Sequence, residues 1–176
     1  MSIKIIDGNL FDSKAKIIAH QVNCQGKMNS GVAKEVRQRY PHVYRYYALL
    51  CEALSDHTEK LLGLMQLIPM DENETHSKYL PYQGRYIANL YAQNRYGYDG
   101  AQYTNIKALA TCFERLAQVA CDLNCSVAMP YKIGCVRGGA NWDEVYSMIE
   151  KAFKNMDVEL WRLPKAQGGH YESEKS

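Results

Sequence analysis

The densest set of side chains able to do chemistry lies at residues 20–33, HQVNCQGKMNSGVA, between an apolar run and a helical pattern. His20 has the only side chain there suited to general acid–base catalysis near neutral pH. Strand alternation places His20 and Asn23 on opposite faces, which favours the alternative of a buried strand histidine. His20 is therefore a candidate catalytic residue with an open structural alternative.

The same stretch has features of an anion and ribose site. The Asn23 amide both donates and accepts hydrogen bonds, which suits the vicinal hydroxyls of a ribose, or it caps its own turn. Gly26 and Gly31 allow close approach of the backbone to a ligand. Ser30 is placed as the N-cap of the following helix, whose first N–H groups attract anions. The pattern is neither GxxxxGK[ST] nor GxGxxG, and an ordinary strand–helix turn is the alternative.

A second glycine-rich loop, IGCVRGGANW at residues 133–142, also follows a predicted strand and opens a helix. Asn141 is placed to cap that helix, with Glu144 completing a capping box. Two such loops at the strand ends of an α/β sheet can hold two linked phosphates. Arg137 either adds a charge-assisted bond to them or is a solvated loop charge.

The elements that position these loops alternate between strand and helix periodicity. The pattern predicts strands over 3–6, 16–22, 61–70, 85–91, 126–130 and 158–163, and helices over 31–40, 43–53, 105–123 and 142–155. This order predicts an α/β fold, a three-layer α/β/α sandwich around a mixed sheet. We expect one domain over 1–163, a solvated hairpin loop at 71–78 and a polar, flexible tail at 164–176.

The composition limits the function classes. The chain has 176 residues, 47% of them hydrophobic, and a net charge of +2, which is too small to indicate nucleic-acid or membrane binding. No apolar run reaches the roughly 18 residues of a membrane span, and no secretory segment precedes the first strand. Six cysteines without a paired CxxC pattern are typical of reduced, mostly buried thiols in a cytoplasmic protein. We expect neither a metal nor a cofactor.

The stretch IIDGNLFDSKAKIIAHQVNCQGKMNSGVAKEVRQRYP, together with MPYKIGCVRGGANWDEV, resembles the macrodomain family. The resemblance covers residues 3–163 and implies a domain that binds ADP-ribose. The most similar branch holds terminal ADP-ribose-protein glycohydrolases and DNA ADP-ribosyl glycohydrolase antitoxins. Yeast-type ADP-ribose-1″-phosphate phosphatases share the HxxNCxG pattern that begins at His20.

The resemblance implies a role for each matching position. Asn9 stands where many members have an Asp that accepts a bond from the adenine amino group, and Asn23 matches the residue at the distal ribose. Tyr91 borders the ribose pocket or is a buried strand residue. The implied ligand-binding set is Gly8, Asn9, Leu10, Asn23, Gln25, Met28, Asn29, Ser30, Gly31, Val32, Ala33, Gln93, Ile133, Gly134, Cys135, Val136, Arg137, Gly138 and Gly139.

Two departures from the family pattern bear on catalysis. Glycohydrolases of this branch use a Lys nucleophile near the position of Gln93 in this chain, where no Lys lies nearby, and an amide cannot replace an amine in that role. The protein-directed enzymes also use an Asp in the second loop, where this chain reads VRGG. Lysine-based deglycosylation is therefore not expected. Asp99 is the nearest loop carboxylate, or its Asp-Gly pair is only a turn.

Three hypotheses remain. The first is an ADP-ribose-binding hydrolase of small derivatives, such as the 1″-phosphate or an O-acetyl ester. The second is a non-catalytic reader of ADP-ribose. The third is an RNA-binding module. The 14 tyrosines favour it, and the small net charge argues against it.

Overall fold

The computed structural model describes residues 2–74 and 82–164. Within them lie a six-stranded sheet and four α-helices. The strands are β1 (Ile3–Asp7), β2 (Ile17–Asn23), β3 (Met65–Pro69), β4 (Tyr86–Gln93), β5 (Val127–Pro130) and β6 (Val158–Arg162). The helices are α1 (Gly31–Arg39), α2 (Pro41–Ala53), α3 (Ile106–Asp122) and α4 (Trp142–Ala152). None of the helices in the described ranges is both long and apolar enough to cross a lipid bilayer.

The sheet has the order β1-β6-β5-β2-β4-β3. Its first five strands in that order run parallel, and β3 pairs antiparallel with β4 at the edge. The sheet is therefore mixed, as predicted. Because parallel strands end on the same side, the segments that follow β1, β2, β4 and β5 share one edge of the sheet.

Two hydrophobic cores flank the sheet and make the three layers. One core packs α3 and α4 on one face, and the other packs α1 and α2 on the opposite face. The helical periodicity of α3 buries Leu109, Phe113 and Leu116 completely. Fully burying one such side chain contributes about 1.5–3 kcal/mol, so these helices hold the sheet and its loops firmly. The α/β/α sandwich predicted from the sequence is confirmed.

The prediction of a strand over 61–70 is wrong in its first part. A short 3-10 turn, Thr58–Leu61, precedes the strand, which begins only at Met65. Gly63 lies between them with φ +89°, a left-handed conformation that no strand residue adopts. Its N–H donates to the Tyr91 carbonyl at 2.8 Å and ties the turn to β4.

Other boundaries differ by a few residues. The helix predicted over 142–155 ends at Ala152, because Phe153 takes a ψ of 24° and turns into the core against Phe113. A 3-10 turn over Leu10–Asp12, which the sequence did not predict, follows β1. The predicted loop over 71–78 lies in part, and the predicted tail almost wholly, outside the described residues.

Candidate ADP-ribose site at the carboxyl edge of the sheet

An open cleft of about 1670 Å³ runs along the carboxyl edge of the sheet. It is large enough for a dinucleotide-sized ligand. Sixteen of the predicted site residues line it: Gly8, Asn9, Leu10, His20, Asn23, Asn29, Ser30, Gly31, Val32, Ala33, Gln93, Ile133, Gly134, Val136, Arg137 and Gly138. The fold thus brings together segments that are far apart in the sequence.

The other four predicted positions do not line the cleft. Met28 and Cys135 are buried in the two cores. The Gln25 amide donates to the Asn94 carbonyl at 2.9 Å and so ties the first loop to the segment after β4. Gly139 has φ +71°, and a Cβ there would lie 2.9 Å from the Ala101 carbonyl oxygen. These residues shape the loops, and their direct contact with a ligand stays a prediction.

Asn23 lies at a break in the strand. The pairing of β2 with β4 shifts register between Val22 and Asn23, so strand alternation ends there. As a result the Asn23 side chain points towards α2, where the Tyr47 hydroxyl lies 2.8 Å from its Oδ1. This is also the face of the sheet to which His20 belongs. The sequence argument that put the two residues on opposite faces is therefore wrong.

The hydrogen bonds of Asn23 fix which of its atoms a ligand can use. Oδ1 accepts from the Gln25 N–H at 2.9 Å and from the Tyr47 hydroxyl. Nδ2 donates to the Lys27 carbonyl at 2.8 Å. An amide nitrogen carries two N–H groups, so one remains for the cleft. Asn23 is thus set up as a donor to a hydroxyl or phosphate oxygen, and it also holds its own turn.

His20 belongs to a buried polar chain that crosses three strands. Its Nε2 lies 2.6 Å from Asn89 Oδ1, Asn89 donates to Gln66 Oε1 at 3.0 Å, and the Tyr91 hydroxyl donates to the same oxygen at 3.2 Å. Since an amide oxygen only accepts, the His20 proton is on Nε2. Nδ1 then carries the lone pair, and it meets no hydrogen-bond partner among the described residues.

The environment of His20 makes it neutral. The ring is only 1% exposed. Burial lowers the pKa of His20 to about 4, although the bond to Asn89 acts in the opposite direction. A base of that pKa is weak, although His20 is among the residues that line the cleft. The side chain fits the structural alternative, and a catalytic role for His20 stays a prediction.

The start of α1 presents free N–H groups to the cleft. Ser30 occupies the N-cap position, as predicted, but its side chain makes no capping hydrogen bond. Gly31 has φ +57°, and nothing lies within 4 Å of where its Cβ would be. The first N–H groups of the helix therefore have no side-chain acceptor of the usual kind and are available to an anion; the anion site itself stays a prediction.

The second loop is supported from below by a small polar cluster. Thr104 donates its hydroxyl to the Gly134 carbonyl at 2.7 Å, and the Thr104 N–H donates to the Gly138 carbonyl at 2.9 Å. The Gln21 amide donates to Thr104 Oγ1 and to Gln93 Oε1, both at 2.9 Å. A Cβ on Gly138 would lie 1.9 Å from Thr104 Oγ1, so this position requires glycine for close packing.

Gln93 has a structural role in this arrangement. Its Oε1 accepts from Gln21, and it is 8% exposed. The resemblance stated above puts Gln93 near the expected position of a glycohydrolase nucleophile. A carboxamide held in a hydrogen bond is a poor nucleophile, and the absence of lysine-based deglycosylation stays a prediction.

At the β1 end of the cleft, Asn9 caps the 3-10 turn that follows the strand. Its Oδ1 accepts from the Phe11 N–H at 2.9 Å, while Nδ2 lies 3.5 Å from Glu35 Oε1. Leu10, Phe11, Val32 and Ala33 give this end an apolar wall. An apolar slot with an amide at its rim fits a purine base.

Several cleft residues were missed by sequence reasoning. Gln21 and Lys27 line the cleft and lie inside the first motif. In the sequence, Gln21 looks like any residue of an alternating strand and Lys27 like any loop lysine. Tyr96 and Tyr98 follow β4 and line the opposite end from Asn9. Only the order of the strands brings that segment to the cleft, so no local pattern could have found it.

Three other sequence expectations have clear outcomes. Tyr91 is fully buried and does not line the cleft, so the structural alternative holds. Asp99 accepts from the Ala101 N–H at 3.1 Å and from the Tyr103 hydroxyl at 2.7 Å, which makes it a turn residue outside the cleft wall. Asn141 caps α4 by accepting from the Glu144 N–H at 3.1 Å, as predicted.

The cysteines are all free, and four of the six are buried. Burial is the largest cause that raises the pKa of Cys24 to about 12, and electrostatic repulsion from Cys51 is the second. Thiols with a raised pKa are poor nucleophiles, so Cys24 does not supply the cleft with a reactive group. The prediction of mostly buried thiols is thus confirmed, with Cys121 exposed and Cys125 half-buried.

Comparison with known proteins places the fold. No family model matches the chain. The macrodomain of DarG from Mycobacterium tuberculosis superimposes with a TM-score of 0.72 at 22% identity, covering 93% of this chain and 99% of that one. The chain therefore has a macrodomain fold. A DarTG structure from Thermosipho africanus in complex with ADP-ribose matches this macrodomain with a TM-score of 0.69 at 17% identity, over 99% of this chain and 44% of that one.

Sequence similarity extends to fungal enzymes. An ADP-ribose 1″-phosphate phosphatase of Debaryomyces hansenii is 34% identical over 105 residues, which cover 54% of this macrodomain and 56% of the enzyme. The chain thus spans about half the length of the curated relatives it matches.

Proposed function

We propose that this macrodomain binds ADP-ribose in the cleft and hydrolyses a small ADP-ribose derivative at the distal ribose. The observation that carries the proposal is the pair of glycine loops. The uncapped start of α1 and the Gly134–Gly138 loop end on one cleft, where their N–H groups can receive a diphosphate. Asn23, with one free N–H, lies beside the first loop.

The two relatives described above support the ligand and the reaction class. One was solved with ADP-ribose, and the other carries the name of a phosphatase acting on ADP-ribose 1″-phosphate. In the proposed orientation the base lies at Asn9 and the distal ribose lies at Asn23.

Calorimetric titration with ADP-ribose tests binding, with AMP and ADP as comparators. We expect micromolar affinity for ADP-ribose and much weaker binding of ADP, because ADP lacks the ribose that Asn23 would contact. Equal affinity for ADP and ADP-ribose would show that Asn23 does not contact the ligand.

The variant Gly31→Glu tests the location of the site. Its carboxylate would enter the phosphate path, so we expect loss of ADP-ribose binding in a folded protein. Gly100→Glu is the matched control, since Gly100 also has a positive φ and open space around its Cβ but does not line the cleft. Undiminished affinity in Gly31→Glu would mean that the ligand binds elsewhere.

A non-catalytic reader is the second candidate, and the buried, neutral His20 favours it. Release of phosphate from ADP-ribose 1″-phosphate, or of acetate from the O-acetyl ester, separates the two. If micromolar protein releases neither product, the hydrolase is excluded and the reader remains.

A further inference from the structure

The cleft has a direction set by strand order. Asn9 follows β1, the first strand of the sheet, and Tyr96 and Tyr98 follow β4, the fifth strand across. These residues therefore mark opposite ends of the cleft. Under the proposed function the base occupies the β1 end. The distal ribose and any group attached to it then lie towards the β4 end.

Charge is distributed unequally along this axis. The cleft carboxylates, Asp7 and Glu35, lie at the β1 end and are paired with Arg162 at 2.7 Å and Arg39 at 2.9 Å. Three cationic side chains line the cleft without an ion pair to any described residue: Lys27, Lys132 and Arg137. Lys27 and Arg137 lie on the two loops, and Lys132 follows β5.

The Asn23 side chain holds the Lys27 backbone, which places Lys27 beside the proposed position of the distal ribose. The Asn23 amide donates to the Lys27 carbonyl at 2.8 Å and accepts from its N–H at 3.4 Å. The Lys27 side chain itself is exposed on the cleft wall. Its position offers a cationic side chain to an anionic group of a ligand.

Arg137 is directed to the same end by an aromatic contact. Its guanidinium lies 5.0 Å from the centre of the Tyr98 ring, and Tyr98 belongs to the segment after β4. Tyr98 is 68% exposed, and the Tyr96 ring lies 6.5 Å away in a T-shaped contact. A planar guanidinium on an aromatic ring keeps its N–H fork free for an anion.

The loop that carries Tyr98 is ordered by hydrogen bonds. The Tyr103 N–H donates to the Gly138 carbonyl at 2.8 Å, which joins this loop to the one that carries Arg137. The carboxylate of Asp99 on the same loop accepts from the Tyr103 hydroxyl and does not line the cleft. The tyrosines are thus held exposed, although their burial would favour folding.

We propose that Lys27 and Arg137 form a subsite for a phosphate group carried on the distal ribose, with Tyr98 supporting the Arg137 guanidinium. A phosphate offers the oxygens that an arginine fork and a lysine ammonium bind. A neutral acetyl ester gains nothing from either cation. Of the two small derivatives considered, the subsite selects the phosphate ester. This inference rests on the proposed function and specifies its substrate class.

His20 does not compete for this role. Its ring is buried and burial lowers the pKa of His20 to about 4, so it carries no positive charge at neutral pH. The charge at this end of the cleft therefore comes from the two loop residues.

The test compares ADP-ribose with a 1″-phosphonate analogue in which a methylene group replaces the ester oxygen and prevents turnover. Calorimetry gives the ratio of the two affinities at low salt. We expect the wild-type protein to bind the phosphonate about tenfold more tightly, since two charge-assisted contacts are added. The double variant Lys27→Met/Arg137→Met should reduce that preference to about twofold or less.

The matched control is Lys4→Met/Lys151→Met, which also removes two positive charges. Lys4 lies in β1 and Lys151 in the last turn of α4, and neither lines the cleft. It should keep the wild-type ratio. If ADP-ribose binds but the phosphonate shows no preference, or if both double variants show the same ratio, the subsite is overturned and the proposed function stands. If neither compound binds the wild-type protein, both are overturned.

Discussion

Asn23 and His20 show how strongly a single backbone irregularity controls which side chains meet. The register shift after Val22 turns Asn23 to the face that already holds His20. There Tyr47 fixes the Asn23 amide, and the strand partner Asn89 fixes the His20 tautomer. The two residues share a face, but only Asn23 has a free polar hydrogen for a ligand.

The neutral state of His20 predicts a pH-dependent stability. The imidazole titrates near 6.5 when unfolded and near 4 when folded, because burial lowers the pKa of His20. Between these values the unfolded chain binds more protons. The free energy of unfolding should therefore fall as pH drops from about 6.5 to about 4, by up to about 3 kcal/mol from this residue.

Urea unfolding of wild type and His20→Gln at pH 7 and pH 4.5 measures this effect. Glutamine keeps an N–H donor for Asn89 but cannot titrate, so the variant should lose less stability on acidification. His57→Gln is the control, since the His57 ring is exposed to solvent. The same pH dependence in wild type and His20→Gln would contradict a buried, neutral His20.

At the scale of elements, the two helices that follow the glycine loops begin in different ways. The Asn141 side chain caps α4, whereas the Ser30 side chain makes no capping bond at α1. Loss of a side-chain cap costs about 1 kcal/mol. Leaving α1 uncapped sacrifices that stabilisation, and it keeps the helix N–H groups open to the cleft.

This difference predicts unequal effects of two alanine substitutions. Asn141→Ala should lower the free energy of unfolding by about 1 kcal/mol, and Ser30→Ala by a few tenths at most. Chemical denaturation of both variants measures the difference. Equal losses would show that Ser30 caps α1 in solution and that its N–H groups are less available than the structure indicates.

At the scale of the whole molecule, a ligand that joins both loops should stabilise the folded state. ADP-ribose at a hundred times its Kd should add about 2.7 kcal/mol, because only the folded chain has the assembled cleft. For a chain of this length that corresponds to a rise in Tm of about 5–10 °C.

Thermal unfolding followed by fluorescence measures this shift. AMP should shift the Tm less, because it reaches only the β1 end of the cleft, and Gly31→Glu should show no shift with ADP-ribose. A Tm that ADP-ribose leaves unchanged at millimolar concentration would contradict binding to the cleft.

The local patterns of the sequence determined most of the elements. Helical periodicity defined α3 and α4, and the Asn141 cap and the two glycine loops were recognised as motifs, because each depends on residues close in the chain. The sequence also determined the candidate ligand, through the resemblance of those motifs to macrodomains. Local periodicity misjudged the segment before β3, where Gly63 interrupts an otherwise strand-like pattern, and it extended α4 beyond Ala152.

The tertiary structure alone decided which side chains share the cleft and how they are oriented. The register shift at Asn23, the burial of His20 and the pairing of Gln21 with Gln93 depend on contacts between strands. Likewise, Tyr98 reaches Arg137 only because β4 lies beside β2 in the sheet. Such contacts join residues many positions apart, and no local pattern encodes them, because their free energy arises only when the strands have assembled.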